Sequence, residues 1–213
     1  MNNLFARLVL AATLGGLFPS STSAQNLFEA DLGSQHIYEF TPNGTQSTFA
    51  SSLHNPQGLA FNSAGDLFEA NFNSNEIYEF TPGGGQSTFA SGLNRPEGLA
   101  FDSAGDLFES DQASGSIYEF AAGGGQSTFA SGLSEPAALA FNSAGDLFES
   151  DQGSGNIYEF TPGGAQSTFA SGLNTPYGLA VSSVPEPGTW ASGIAALGGL
   201  LLLARRSPPR KSS

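Results

Sequence analysis

The chain has 213 residues, no cysteine, 28 glycines and only 12% charged residues. All nineteen acids lie between Glu29 and Glu186, where Arg95 is the only base, so residues 25–186 carry nineteen negative charges against one positive, a net −18. So acidic a surface argues against nucleic acid or anionic lipid as a partner. It leaves cations, cationic polymers and neutral glycans, or a charge that serves solubility alone.

In chain order, the first element is a secretory signal. Arg7 supplies the positive region, residues 8–18 a short apolar run, and Thr22 and Ala24 the small residues before a cut at Gln25. The run is too short and too interrupted by glycine to span a membrane comfortably. Export without cysteines means no disulfide support, so packing or chain closure must hold the fold.

From Leu27 the sequence repeats every 40 residues, over 27–66, 67–106, 107–146 and 147–181. A fixed period of this size indicates a solenoid or propeller. Each unit has four short runs of β-branched and aromatic residues between Gly, Pro, Asn and Ser. In the second unit these are 67–70, 77–80, 86–90 and 98–101. Four strands in about 40 residues make one blade, so residues 25–181 are predicted to be an all-β propeller of four four-stranded blades. Gly65, in Asn62-Ser63-Ala64-Gly65-Asp66, stands where a tight hairpin needs positive φ. With strands named a to d outward from the axis, "GLAF" is a, "LFEA" b, "IYEF" c and "QSTFA" d. The array then starts at b with Leu27 and ends at a with 178–181. The C-terminal strand is therefore expected to complete the first blade and close the ring. An open array and a two-chain, eight-bladed ring are the alternatives. Between b and c, pairing Glu29 with Glu39 would oppose like charges, so a register shifted by two, Phe28 with Tyr38 and Glu29 with Ile37, is expected.

Residues 182–213 read as a separate segment. The motif Val184-Pro185-Glu186-Pro187 precedes an apolar stretch, 188–204, and a basic tail, 205–213, that begins with Arg205 and Arg206. Its uncharged core, 190–204, would be a helix of ~22 Å, short for a bilayer core. Pro187, Gly188 and Thr189 extend it to a borderline span, with Trp190 at one interface and the basic residues on the cytoplasmic side.

Motif, apolar helix and paired arginines in that order resemble the PEP-CTERM sorting signal. The resemblance implies an exosortase, a membrane protease of Gram-negative bacteria that make exopolysaccharide. Processing near Pro185–Glu186–Pro187 would follow a transient membrane anchorage and release the protein toward the cell surface. The phrases "P-x-G-L-A-F-x-S-A-G-D-L-F" and "I-Y-E-F" look like those of NHL and gluconolactonase-like propellers.

The copies differ mainly in the b–c and d–a loops, which share one face. His36, His54, Asn75, Glu76, Arg95, Glu97, Asn156 and Tyr177 are the candidate binding residues there, unless these loops vary only because packing does not constrain them. With His36 and His54 the only histidines and no cysteine, a zinc site or histidine-based triad is not expected. The carboxylates recur in near-identical copies, whereas acid–base catalysis needs two groups in different environments. No cofactor is therefore expected. Asp31, Asp111 and Asp151 offer hard oxygens of the kind Ca²⁺ takes, but without EF-hand spacing, and turn-capping is the preferred reading. The expected function is a non-catalytic surface or matrix protein that binds glycan, exopolysaccharide or another protein. The alternative is a gluconolactonase- or lyase-like enzyme.

Overall fold

The computed structural model describes residues 25–182. The segments expected to be a secretory signal (1–24) and a sorting motif with an apolar helix and basic tail (184–213) lie outside the described residues. Among those residues the chain is all β. The first repeat gives β1 (Leu27–Asp31), β2 (His36–Phe40) and β3 (Gln46–Ala50). The second sheet is β4 (Pro56–Phe61), β5 (Leu67–Asn71), β6 (Glu76–Phe80) and β7 (Gln86–Ser91). The third is β8 (Pro96–Phe101), β9 (Leu107–Asp111), β10 (Ser116–Phe120) and β11 (Gln126–Ser131). The fourth is β12 (Pro136–Phe141), β13 (Leu147–Asp151), β14 (Asn156–Phe160) and β15 (Gln166–Ala170). Each sheet is an antiparallel meander, and the turns have the expected chemistry: Gly65 takes φ 89°, and Asn62 Oδ1 accepts from the Ala64 and Asp66 amides at 3.0 and 2.9 Å.

The b–c register differs from both pairings considered above. Leu27 faces Phe40, Phe28 faces Glu39 and Glu29 faces Tyr38. The loop between Asp31 and His36 holds four residues, closed by the Gln35 amide on the Asp31 carbonyl at 2.9 Å, with Gln35 at φ 62°. Both expected registers need an odd number of loop residues. The even loop moves every pair by one, and the like-charge pair never forms.

The sheets stack as blades around an axis lined by β4, β8 and β12. A phenylalanine quartet fills each interface. Between the first two blades, Phe28 meets Phe49 and Phe61 edge-on at 5.0 and 5.1 Å, and Phe49 meets Phe80 at 5.7 Å. Phe68, Phe89, Phe101 and Phe120 repeat this in the next interface, and Phe108, Phe129, Phe141 and Phe160 in the third. Edge-to-face rings add to the burial itself. Near the axis Gly58 and Gly98 let the inner strands touch: a Cβ on either would overlap a carbonyl of the next inner strand.

The expected closure by the C-terminal strand does not occur. The first sheet has three strands, and residues 178–181 join no ladder. A Cβ on Gly178 would meet nothing within 4 Å. Residues 179–181 lie instead unpaired against the open face of the fourth blade, beside Phe148, Ile157 and Phe169. With the first blade lacking its inner strand, the described residues form an open arc.

An open arc makes equivalent positions unequal. Leu67 is 1% exposed, whereas Leu27, its equivalent on the free face, is 66% exposed. In dilute protein, Leu67→Ala should cost ~2–5 kcal/mol of unfolding free energy in urea melts, and Leu27→Ala less than about 1. Equal losses would mean that Leu27 is packed in a closed ring.

Candidate binding site at the axial mouth

The b–c and d–a loops meet on one face, stitched by backbone bonds such as Gln112 N to Arg95 O at 3.1 Å and Gly153 N to Ser134 O at 2.8 Å. The aspartates that open the b–c loops serve this seam. Asp111 accepts from the Asn94 amide at 2.6 Å and the Ser114 amide at 3.0 Å, and Asp151 from Ser134 and Ser154 at 2.7 and 2.9 Å. Asp31 accepts from the Gly33 and Ser34 amides. Among the described residues no three His, Cys, Asp or Glu side chains gather closely enough to hold a metal ion.

At the centre of this face the N-terminal ends of the inner strands converge. Gln57, Glu97, Ala137 and Tyr177 hold equivalent positions there and surround a cavity of about 120 Å³. Glu97 is 4% exposed. Its oxygens accept from Gln112 Nε2 at 2.8 Å and Gln152 Nε2 at 3.1 Å. The Tyr177 hydroxyl donates to Gln57 Oε1 at 2.7 Å, reaching across the mouth from the fourth blade to the second. Burial raises the Glu97 pKa. Nearby Gln152, Gln112 and Tyr177 oppose that rise, and the charge of Glu135 adds to it. Tyr177 is pushed up to about 12, by burial first and then by the Glu97 charge. The result is a carboxyl, a phenol and three amides around one small opening, an array that can exchange hydrogen bonds with hydroxyl groups.

The eight candidate residues do not form one cluster. Glu97 and Tyr177 are brought together at the mouth. Arg95 lies 5.6 Å over the Phe72 ring, with its amide on Asn75 Oδ1 at 3.0 Å. His54 is exposed on the seam, its amide on Asn71 Oδ1 at 3.1 Å. His36, Glu76 and Asn156 each keep to the tyrosine of their own strand: His36 stacks on Tyr38, Glu76 accepts from Tyr78 at 2.7 Å, and Asn156 donates to Tyr158 at 3.0 Å. Gln57, Gln112 and Gln152 were not singled out from the sequence. Their signal was present: positions 57, 97, 137 and 177 and positions 32, 72, 112 and 152 differ in chemistry between copies whose strands barely change.

A second set of acids lies inside the blades. Glu69, Glu109 and Glu149 are fully buried, and their carboxyl oxygens have no hydrogen-bond partner. Burial pushes Glu69 up to about 8, with Asn71 opposing. Burial and the Asp151 charge push Glu149 up to about 8, and burial and Asp111 raise Glu109 well above the carboxylate range. They recur with the blades, so they belong to the stacking rather than to the mouth.

No protein-family model and no curated protein sequence matches the chain. Solved structures do. A chain of the nidogen/laminin complex matches with a TM-score of 0.66 and 21% identity, over 73% of this chain and 64% of its own length. Virginiamycin B lyase from Staphylococcus aureus matches with a TM-score of 0.61 and 14% identity, over 70% of this chain and 53% of the lyase. A structure assigned as a gluconolactonase matches with a TM-score of 0.62 and 17% identity, over 70% of this chain and 61% of its own. The chain spans between half and two thirds of the length of these structures. The likeness is one of fold, to β-propellers of the NHL and gluconolactonase-like kind.

The buried glutamates set a pH dependence. Their folded pKa lies above the unfolded value of 4.5, so the fold binds their protons more tightly than the unfolded chain does. For Glu69 and Glu149, pushed up to about 8, that contribution is complete below about 4.5, declines as pH rises toward 8 and is lost above it. Glu69→Gln and Glu149→Gln should each raise Tm at pH 8.5 by about 5 °C or more and leave it nearly unchanged at pH 4.5. Parallel shifts at both pH values would contradict buried, neutral carboxyls.

Proposed function

We propose that this protein is an exported, exosortase-sorted surface or matrix protein whose acidic propeller arc is a non-catalytic binding module. Its ligand face is the axial mouth, and the ligand class is a neutral, hydroxyl-rich glycan such as exopolysaccharide. The observation that carries this reading is Glu97 held between Gln112 and Gln152, with Tyr177 bridging to Gln57. Fixed amides and a carboxyl match sugar hydroxyls in both hydrogen-bonding senses, and Tyr177, 53% exposed, offers a ring to a sugar face. The net −18 disfavours an anionic polymer. Export and sorting rest on residues 1–24 and 184–206 of the sequence.

A second reading places lactonase- or lyase-like chemistry at the same mouth. The raised pKa of buried Glu97 beside the Glu135 charge favours it, because a carboxyl that holds its proton more tightly than usual is better suited to proton transfer. Virginiamycin B lyase and a gluconolactonase share the fold.

Affinity electrophoresis through neutral polysaccharide should retard the protein, and Tyr177→Ala should abolish the retardation without changing the melt. Equal migration of both proteins in every neutral polysaccharide tried would rule out the mouth as a glycan site. Small lactones should not be turned over, and turnover that vanishes with chelator would install the enzyme reading. Intact mass of the extracellular protein should show loss of residues 1–24 and of everything beyond the neighbourhood of Pro187. A form ending at Ser213 in the medium would contradict sorting.

A further inference from the structure

The two ends of the arc are copies of surfaces that already bind each other three times within the chain. At one end, Leu27 and Phe40 stand where Leu67, Leu107 and Leu147 and Phe80, Phe120 and Phe160 are buried against a preceding blade. At the other, Phe148 and Phe169 meet edge-on at 5.0 Å as half of a quartet, and Phe169 is 62% exposed. An apolar recess of about 400 Å³ opens there, beneath Leu179, Ala180 and Val181. Among the described residues nothing from a further blade covers either face.

Two details show that the fourth blade is shaped to receive a fifth. Its d–a loop keeps the docking conformation of the others: Thr175 has φ 47°, as Asn55, Arg95 and Glu135 have 65°, 64° and 57°. At each of those three residues the carbonyl accepts from the next b–c loop, as at Phe72, Gln112 and Gln152. Residues 178–181 also lie where an inner strand lies on the preceding blade. The Tyr177 carbonyl takes the Ser150 hydroxyl at 2.8 Å, as the Ala137 carbonyl takes Ser110. An inner strand is thus in place with no b strand beside it, while β1 is a b strand with no inner strand.

We infer that a second copy of this chain fills both ends, giving a two-chain, eight-bladed ring in which the strand 178–181 of each copy completes the first blade of the other. The internal ladders fix the register. As Leu59 faces Glu69, Ala60 faces Phe68 and Phe61 faces Leu67, Leu179 would face Glu29 of the second copy, Ala180 its Phe28 and Val181 its Leu27. Phe40 of the second copy would join Phe148 and Phe169, with Val181 in the place of the fourth ring. The Thr175 carbonyl would accept from the Leu32 amide. A twofold axis makes the two junctions identical and leaves no open edge.

The full chain has no cysteine, so a pair introduced as Leu27→Cys with Val181→Cys reports this register alone; directly facing residues in an antiparallel ladder are near enough to bridge. Oxidised at about 0.15 M salt, which screens the like charge of the copies, the variant should run as a covalent dimer on a non-reducing gel. A monomer with an internal bridge, an unbridged chain, or a ladder beyond the dimer would overturn the ring. Sedimentation of the unaltered chain should give twice its mass, and Leu27→Arg, at a side chain exposed in the single copy, should give the single mass with an unchanged far-ultraviolet spectrum. A single mass for the unaltered chain, or a dimer that persists in Leu27→Arg, would also overturn it.

Discussion

Everything in this molecule depends on stacking one sheet on the next through a phenylalanine quartet. A single blade is a four-stranded meander with two apolar faces and cannot bury both. The quartet, one ring each from strands b and d of one blade and a and c of the next, buries one face against its neighbour and sets the wedge between them. Because only nearest neighbours touch, cohesion is additive along the array, and the end blades have half the packing of the middle ones.

The same stacking explains the chemistry in and around the blades. Neighbouring inner strands approach closely enough to require Gly58 and Gly98. That approach draws residues 57, 97, 137 and 177 into one mouth while leaving their side chains free to differ. Glu69, Glu109 and Glu149 are the opposite case. They sit in strand b, one residue from the phenylalanines, and each is closed off by the preceding blade. A carboxyl there is retained at a cost that protonation reduces. Glu29, with no described blade before it, is exposed.

Much of this was legible in the sequence. The 40-residue period, the four strands per unit and the Gly65 turn are local, and local signals survive folding. So did the prediction that the b–c and d–a loops share a face. The b–c register was not legible, because it depends on whether the loop holds three residues or four, and composition does not encode that parity. Closure was misjudged for a different reason. The one-strand offset between Leu27 and residue 181 shows how a ring would be sealed but not how many blades complete it, since the wedge angle arises from the packed rings. The axial site was half legible: Glu97 and Tyr177 stood out as differences between copies, while Gln112 and Gln152 looked like ordinary loop residues until the fold turned them inward.

Strand-resolved amide hydrogen exchange on the single-copy Leu27→Arg form tests the open arc most directly. The account predicts the slowest exchange in the second and third blades, around β5, β6, β9 and β10, with protection falling toward β1 and residues 178–181. Equal, strong protection of β1 and 178–181 in a single chain would contradict it, and would mean that four blades close a ring without a partner.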